Sequence, residues 1–178
     1  MYTIIGLQNP GDEYEGTRHN AGGIAVSFFQ RASQLPSFVS SGKFVGDISE
    51  GVIGGVPVRL LLPNTFMNHS GSVITKAGLS PEEVVLVYDD IDLPIGTFKI
   101  SHERGSGGHN GVKSIIDALG TTAFTRVRIG ISPRTLFGTM RRPESRKVAD
   151  FVLGTFSARE RAKLESIFPD VAEAMRII

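Results

Sequence analysis

Short apolar runs of strand length alternate along the chain with segments of helical length, and this alternation is the feature that most constrains the fold. Residues 3–7 form the first run, and residues 20–32 form a segment with its apolar side chains on one helical face. Further strand-like runs cover residues 44–48, 56–62, 84–88, 98–101 and 126–131, and further helix-like segments cover residues 111–119 and 157–175. Strands joined through helices pair in parallel and are covered on both faces. The sequence therefore predicts an α/β fold in a single domain over residues 1–178, with a mixed, mostly parallel sheet and helices on both faces.

Length and composition are those of an ordinary globular protein. The chain has 178 residues, of which 40% are hydrophobic and 21% are charged, and it is long enough to bury one sizeable core. The amino terminus lacks the basic region and long apolar stretch of a secretory signal, and no apolar run is long enough to span a bilayer. Cysteine is absent, which excludes disulfides, cysteine-bound zinc and thiol nucleophiles. We therefore expect a cytoplasmic protein that does not bind membranes.

Charge is unevenly distributed along the chain, although the net value is only +1. Residues 1–92 contain 5 Lys and Arg against 10 Asp and Glu, whereas residues 93–147 contain 10 Lys and Arg against 3 Asp and Glu. A basic stretch of this kind suits a partner with a phosphate backbone. A solvated surface with scattered charges explains the same counts equally well, so composition leaves both interpretations open.

The common signatures of nucleotide, covalent and metal chemistry are missing. No Gly-x-Gly-x-x-Gly follows the first strand-like run, and the chain contains neither a Walker loop nor a Gly-x-Ser-x-Gly nucleophile elbow. The four histidines, His19, His69, His102 and His109, show no spacing typical of metal ligands. We therefore expect an activity that needs neither a metal ion nor an organic cofactor.

Four polar clusters follow strand-like runs or precede a helix. They comprise residues 9–20, 64–71, 88–94 and 105–111. In a largely parallel sheet, ligand chemistry collects beyond the carboxyl ends of the strands. The four clusters are therefore expected to converge on one cleft.

His19 and Asp89 are the candidates for acid–base chemistry. An imidazole titrates near neutral pH, and the start of a helix favours its neutral, proton-accepting form, so His19 is a candidate general base. A carboxylate such as Asp89 would orient the ring and stabilise its protonated form. A helix-capping role for His19 and a turn-forming role for Asp89 are the plain alternatives. The neighbouring Asp90 and Asp92 invite a divalent-cation interpretation, but no other carboxylate cluster completes a ligand set.

Three asparagines offer amide groups that both donate and accept hydrogen bonds. Asn9, Asn68 and Asn110 each have a plain alternative, namely a turn at the first two positions and a helix cap at the third. The side chains of Phe66 and Met67 are equally compatible with a core position. The combination of all four polar clusters, rather than any single residue, favours a catalytic site.

In their order along the chain, these clusters resemble the bacterial-type peptidyl-tRNA hydrolase family. The similarity rests on Gly6-Leu7-Gln8-Asn9-Pro10-Gly11, Thr17-Arg18-His19-Asn20-Ala21-Gly22, Thr65-Phe66-Met67-Asn68-His69-Ser70-Gly71, Tyr88-Asp89-Asp90-Ile91-Asp92-Leu93-Pro94, Gly105-Ser106-Gly107-Gly108-His109-Asn110-Gly111 and Arg126-Val127-Arg128-Ile129-Gly130-Ile131. Together they span nearly the whole chain. The resemblance implies a monomeric α/β enzyme that hydrolyses, without a cofactor, the ester between a peptide and the 3′ ribose of tRNA.

The resemblance also implies roles for individual residues. His19 would activate the attacking water, Asp89 would hold the histidine, and Asn9 would contact the peptide main chain. The residues that would bind the tRNA 3′ end, the first peptide unit or the apolar wall beside them are Tyr14, Phe66, Met67, Asn68 and Asn110. The basic residues that would contact tRNA phosphates are Lys99, Arg104, Lys113, Arg134, Arg141, Arg142, Arg146 and Lys147.

Two other interpretations remain open from the sequence. A different esterase or amidase could use the same cleft on a small substrate, or a non-catalytic RNA-binding protein could use the polar clusters as nucleic-acid contacts. The basic stretch argues weakly against the first, and the concentration of histidine, aspartate and asparagine at strand ends argues against the second. The loop over residues 132–147 departs from the family pattern, so its basic residues are candidates for phosphate contacts and their exact contacts with tRNA stay open.

Overall fold

The computed structural model describes residues 1–134 and 140–178. Within them, one sheet contains seven strands. These are β1 (Tyr2–Gly6), β2 (Val39–Ser41), β3 (Gly46–Ile53), β4 (Val56–Pro63), β5 (Val84–Pro94), β6 (Phe98–Ser101) and β7 (Thr125–Ser132). Their spatial order is β2-β3-β4-β1-β5-β7-β6, so the first strand of the chain lies at the centre of the sheet.

The centre of the sheet is parallel and its margins are antiparallel. β1 lies between β4 and β5 and is parallel to both, and β5 is parallel to β7. β2, β3 and β4 form one antiparallel margin, and β6 pairs antiparallel with β7 at the other. The hairpin between β3 and β4 turns through Gly54 and Gly55, whose φ angles of 57° and 85° favour glycine. The predicted fold class, α/β with a mixed and mostly parallel sheet, is confirmed.

Helices cover both faces of the sheet. They are α1 (Ala21–Ala32), α2 (Ser72–Ala77), α3 (Asn110–Leu119), α4 (Val148–Leu153), α5 (Ala158–Ser166) and α6 (Phe168–Ile177). Because successive strand residues face opposite sides, Ile4 and Ile5 of β1 enter two different apolar cores. One core receives side chains from α1, α4, α5 and α6, and the other receives them from α2 and α3. The parallel strands are thus buried on both sides, which leaves their carboxyl ends as the place for polar chemistry.

The strand predicted over residues 84–88 is longer than expected. It continues as β5 to Pro94, because Asp89 and Asp90 still pair with β7 before the register shifts. Asp89 therefore projects from a strand, and the predicted turn-forming alternative is wrong for it. The strand predicted over residues 44–48 also differs, since β3 begins at Gly46 and runs to Ile53 alongside β4.

The helix predicted over residues 157–175 is two helices. α5 ends at Ser166, and α6 begins at Phe168 with Pro169 in its first turn. Proline has no amide hydrogen to donate within a continuous helix, whereas the first turn needs no such donor. The capping box predicted at Ser157 and Glu160 is present at the start of α5.

Among the described residues, no helix is both long and apolar enough to cross a membrane. The basic loop predicted over residues 132–147 is described only in part, because residues 135–139 lie outside the described residues. Its described part places Arg134 opposite Met140 in an antiparallel bridge, and α4 follows a 3-10 helix at Ser145–Lys147.

Candidate active site

A cleft of about 710 Å³ opens at the carboxyl edge of the parallel strands. Residues from all four polar clusters border it, among them Asn9, His19, Met67, Asp89 and Asn110. The sheet order accounts for three of these clusters, which follow β1 and β4 or end β5, because these adjacent parallel strands have their carboxyl ends side by side. The structure thus brings the predicted clusters together in one cavity.

His19 and Asp89 are in direct contact in this cleft. The Nδ1 atom of His19 lies 3.0 Å from each carboxylate oxygen of Asp89. Both residues are buried, with 9% and 2% of their surface exposed. His19 lies in the 3-10 helix Arg18–Asn20, directly before α1, whereas Asp89 projects from β5. Two distant parts of the chain therefore form one pair.

Burial and pairing act in opposite directions on these two groups. Burial alone would lower the pKa of His19, but the charge of Asp89 and its hydrogen bond outweigh this and raise the pKa above the ordinary 6.5. Burial would raise the pKa of the Asp89 carboxyl, yet the imidazoles of His19 and His109 hold that pKa well below its usual range. Asp89 is therefore ionised at neutral pH, and it stabilises the protonated form of His19.

Arg18 anchors the segment that carries His19 to the carboxyl-terminal helices. Its guanidinium donates to both carboxylate oxygens of Glu160, at 3.1 Å each, and to the carbonyl of Phe151 at 3.3 Å. The same group lies 4.5 Å from the centre of the Phe151 ring, and the Arg18 amide donates to the carbonyl of Gly154 at 3.0 Å. Because α4 and α5 hold the preceding residue in this way, the backbone at His19 is fixed from outside its own helix.

His109 is a site residue for which the sequence predicts no role. It is the N-cap residue of α3, where its Nδ1 atom accepts hydrogen bonds from the amides of Gly111 and Val112 at 3.1 and 3.2 Å. Its Nε2 atom lies 2.9 Å from Oδ1 of Asp89. A neutral imidazole carries one hydrogen, and since Nδ1 accepts, that hydrogen is on Nε2 and is donated to Asp89. The available signal was the position directly before a helix, but asparagine is the commoner cap, so the sequence favours Asn110 there.

The ionised carboxylate of Asp89 also determines the tautomer of His19. Asp89 accepts from both imidazoles, so the Nδ1 atom of neutral His19 carries the hydrogen and its Nε2 atom has the lone pair. No hydrogen bond within the described part of the chain reaches that Nε2 atom. His19 therefore has a free basic nitrogen, whereas both nitrogens of His109 are occupied.

His19, Asp89 and His109 are close enough to be considered as metal ligands, because their ligand atoms lie within 4.8 Å of one another. The donor set suits a metal poorly. The lone pair of His109 is on Nδ1, where two backbone amides donate to it, and the nitrogen facing the carboxylate carries a hydrogen. Coordination through Nε2 would move that hydrogen to Nδ1, against the two amide donors. The three residues are better suited to a hydrogen-bonded network.

Hydrogen bonds inside the protein orient the amide of Asn9. Its Oδ1 atom accepts from the amide of Met67 at 2.8 Å. Its backbone exchanges two hydrogen bonds with the side chain of Asn20, at 2.8 and 3.0 Å, so Asn20 is a second positioning residue to which no role was assigned. Asn9 borders the cleft, and its side-chain nitrogen, Nδ2, has no hydrogen-bond partner in the described ranges. That nitrogen is therefore available as a donor.

What we call the floor of the cleft consists of the buried residues Asn9, His19 and Asp89 and the half-buried His109. More exposed residues that border the same cleft form its rim, and these are Tyr14, Phe66, Asn68, Arg104, Asn110 and Arg142. The rings of Tyr14 and Phe66 meet edge to face with 6.2 Å between their centroids, and Phe66 is 54% exposed. Met67 is only 4% exposed and packs in the core that α2 and α3 cover, so it borders the cleft as part of that core.

The predicted basic contacts divide into two groups. Arg104 and Arg142 border the cleft, and Arg142 pairs with Asp92 at 3.3 Å. Lys99 is exposed on the edge strand β6, and Lys113 is exposed on α3, so neither borders the cleft. The remaining candidates, which also do not border it, are Arg134, Arg141, Arg146 and Lys147.

Fold and site together define a class of protein. It is an α/β protein whose parallel sheet carries a buried histidine–aspartate pair at its carboxyl edge, facing an open cleft. A model of the peptidyl-tRNA hydrolase family matches residues 3–178. The chain therefore belongs to the peptidyl-tRNA hydrolase family, and it is an enzyme of that family.

Individual members of the family are similar to this chain over most of their own length. Peptidyl-tRNA hydrolase of Brevibacillus brevis is 41% identical over 98% of this chain and 89% of that protein. The enzyme of Syntrophotalea carbinolica is 37% identical over 100% of this chain and 90% of that protein. The crystal structure of peptidyl-tRNA hydrolase from Acinetobacter baumannii superimposes with a TM-score of 0.85 at 31% identity, covering 97% of this chain and 85% of that one. The family resemblance of the sequence is confirmed.

Proposed function

We propose that the chain hydrolyses the ester bond of N-blocked peptidyl-tRNA, releasing free tRNA and peptide, with His19 as the general base that activates water. The observation that carries this proposal is the hydrogen-bond arrangement around Asp89, which leaves Nε2 of His19 as a free base in an open cleft. Family membership supports the substrate class. A cytoplasmic location and a monomeric state stay predictions that accompany it.

The reaction proceeds in two steps. Nε2 of His19 takes a proton from a water molecule while the water oxygen attacks the ester carbonyl, and Asp89 stabilises the imidazolium that forms. The tetrahedral intermediate then collapses as the bond to the ribose oxygen breaks, and His19 returns the proton to that 3′ oxygen. An ester has a better leaving group than an amide, so this route needs no covalent enzyme intermediate. General-base catalysis typically contributes about 10²–10⁴-fold, and orientation supplies much of the rest.

Asn9 is assigned to the reacting part of the substrate. Its amide oxygen is tied to the Met67 backbone, so its free N–H donor has a defined direction before substrate binds. Such a donor suits the peptide main chain or the oxygen that becomes negatively charged in the intermediate. A preoriented donor for an acylated amino group also offers a way to prefer N-blocked substrates over free aminoacyl-tRNA.

The rim is assigned to the tRNA 3′ end and the first peptide unit. Exposed aromatic rings such as Phe66 stack on nucleobases, and the amides of Asn68 and Asn110 suit base or ribose edges. Met67 supplies the apolar wall between rim and floor. Arg104 and Arg142 are suited to phosphates near the cleft, where they position the substrate without reading its sequence.

A deacylation assay tests this proposal against its rivals. We expect the protein to release tRNA from N-acetyl-aminoacyl-tRNA and to leave the same free aminoacyl-tRNA intact over the same period. An activated small ester serves as the third substrate. Rapid cleavage of the small ester alone would favour an esterase of small substrates, and tRNA binding without any hydrolysis would favour a non-catalytic RNA-binding protein.

A further inference from the structure

Arg126 is a buried charge without a carboxylate partner. It is 0% exposed within β7, and no ion pair joins it to an acid among residues 1–134 and 140–178. Arg128, two positions later on the same strand, pairs with Asp90 at 2.7 Å. Moving a guanidinium out of water is costly unless its hydrogens are satisfied by other groups. Because the proposed chemistry at Asp89 makes no use of Arg126, its burial calls for another explanation.

The contacts of Arg126 join the two loops that flank α3. Nη1 donates to the carbonyl of Gly105, before the helix, at 3.1 Å, and Nη2 donates to the carbonyl of Thr122, after the helix, at 3.3 Å. The guanidinium also lies 4.3 Å from the centre of the Phe124 ring and interacts with the hydroxyl of Tyr88. One side chain thus fastens both ends of the α3 unit to the sheet.

Residues 105–108, which we call the glycine segment, have little else to hold them. Gly107 and Gly108 have φ angles of 61° and 85°, and a side chain built at any of the three glycines would meet no atom within 4 Å. Packing therefore does not fix the segment. Within the described ranges, the bond from Arg126 to Gly105 is the hydrogen bond that ties it to the sheet. The segment borders the cleft directly before the start of α3.

We propose that Arg126 is a positioning residue that clasps the two loops flanking α3 and thereby holds His109 and Asn110 in place at the cleft. This inference rests on the proposed function, because it gives those two residues a part in binding and hydrolysis. Tyr88 provides a second link, since its ring meets the ring of His109 edge to face with 5.2 Å between centroids. Arg126 does not border the cleft, so it acts through the loops rather than on the substrate.

Hydrogen exchange of the free protein tests the clasp without any substrate. Arg126→Lys keeps the charge but has no planar fork to serve both loops at once. We expect the amides of Gly108 and His109, which donate to the hydroxyl and the carbonyl of Ser106, to exchange about tenfold faster than in the unsubstituted protein, with β1 and β5 unchanged. Arg59→Met is the control. The guanidinium of Arg59 also lies over an aromatic ring, 4.1 Å from the centre of Phe44, but Arg59 is in β4 and, in the part of the chain that the structure describes, does not contact the loops that flank α3. Unchanged exchange in the glycine segment of Arg126→Lys would overturn the proposal.

A second variant separates the hydrogen bonds from packing. Phe124→Leu removes the ring beside the guanidinium and leaves both carbonyl acceptors in place. Exchange in the glycine segment should then match the unsubstituted protein. An increase as large as that in Arg126→Lys would assign the effect to loosened packing and contradict the clasp.

Steady-state kinetics give the functional readout. In Arg126→Lys we expect KM for N-blocked aminoacyl-tRNA to rise roughly fivefold to tenfold through Asn110. We expect kcat to fall by less than the roughly tenfold loss that follows from removing the His109–Asp89 hydrogen bond outright. A loss of folded enzyme would instead lower kcat at constant KM, which would count against a positioning role. If the unsubstituted protein hydrolyses no tRNA ester, the proposed function is wrong. The exchange experiment would still show whether Arg126 holds the two loops that flank α3.

Discussion

The floor and the rim of the cleft differ in what holds their side chains. Hydrogen bonds inside the protein fix each floor residue, with Asp89 bonded to both His19 and His109. Rim residues have weaker or more exposed contacts, such as the 3.3 Å approach of Asn68 to its neighbour His69. Groups that perform chemistry are thus oriented before substrate arrives, whereas groups that recognise a long substrate are left adaptable. Floor substitutions should therefore change kcat and its pH dependence, and rim substitutions should change binding.

The largest effect is expected for His19→Ala. Without the free imidazole nitrogen, kcat for N-blocked aminoacyl-tRNA should fall by about 10²–10⁴-fold. The rim is unaltered, so tRNA affinity measured in a binding assay should stay within about twofold. Full activity in this variant would remove the proposed base, and an equal loss of affinity would erase the distinction between floor and rim.

Asp89→Asn should lower kcat on the order of 10²-fold and shift the pH profile. His19 must be neutral to accept a proton, and its pKa is raised above 6.5, so activity of the unsubstituted protein should decline as pH falls through that raised value. Removing the charge of Asp89 leaves burial as the dominant influence on His19, so the acidic limb should move to lower pH. The measurement is kcat/KM from pH 5 to 9, roughly the range over which an imidazole titrates. An unmoved acidic limb would contradict the pairing.

His109 offers a finer comparison within the floor. His109→Asn keeps a good N-cap for α3 but loses the hydrogen bond to Asp89, so kcat should fall about tenfold with little change in thermal stability. His109→Ala loses the cap as well, and its free energy of unfolding should fall by about 1 kcal/mol more. Identical kinetics of the asparagine variant and the unsubstituted protein would reduce His109 to a helix cap.

The sequence predicts those floor residues whose role follows from their own residue type and their position relative to a strand or helix. It does not predict roles that depend on contacts between distant segments. The candidates His19 and Asp89 and their pairing follow from residue type and strand position, and the resemblance adds the catalytic role of each. The tautomer of His109 cannot be predicted from the sequence. It depends on two contacts at once, with backbone amides at the start of α3 and with the carboxylate of Asp89 in β5. Because asparagine is a common helix cap, the sequence predicts Asn110 as the N-cap of α3, whereas the N-cap is His109, one residue earlier.

The fold shows the same division between local and long-range causes. The apolar alternation predicts the sheet and its helices, whereas the extension of β5 through Asp89 depends on pairing with β7, which no local pattern in residues 88–94 reveals. The break before α6 has a local cause in Pro169, so the predicted helix over residues 157–175 ignored an available signal. Burial of Arg126 is likewise invisible in an alternating strand that reads as half exposed.

A smaller effect is expected at Arg142 of the rim and at its neighbour Arg141, which lies outside the cleft. Replacing Arg141 and Arg142 with alanine should weaken tRNA binding and make the slope of log affinity against log salt shallower by roughly 1 to 2, with kcat nearly unchanged. Lys76→Ala on α2 is the control, since Lys76 is exposed and does not border the cleft. If the slope stays the same as in the control, these arginines are ordinary surface charges.

The smallest expected effect is that of metal removal, which tests the floor rather than the rim. His19, Asp89 and His109 have the spacing of a metal site, but the amides of Gly111 and Val112 keep the His109 lone pair away from the carboxylate. Activity should therefore survive treatment with a strong chelator. Because magnesium also supports tRNA folding, the assay is best run on a short acylated RNA that ends in the 3′ adenosine ester and needs no tertiary fold. Loss of activity on that substrate, restored by one divalent ion, would require His109 to carry its hydrogen on Nδ1 and would overturn the assignment of a free Nε2 base to His19.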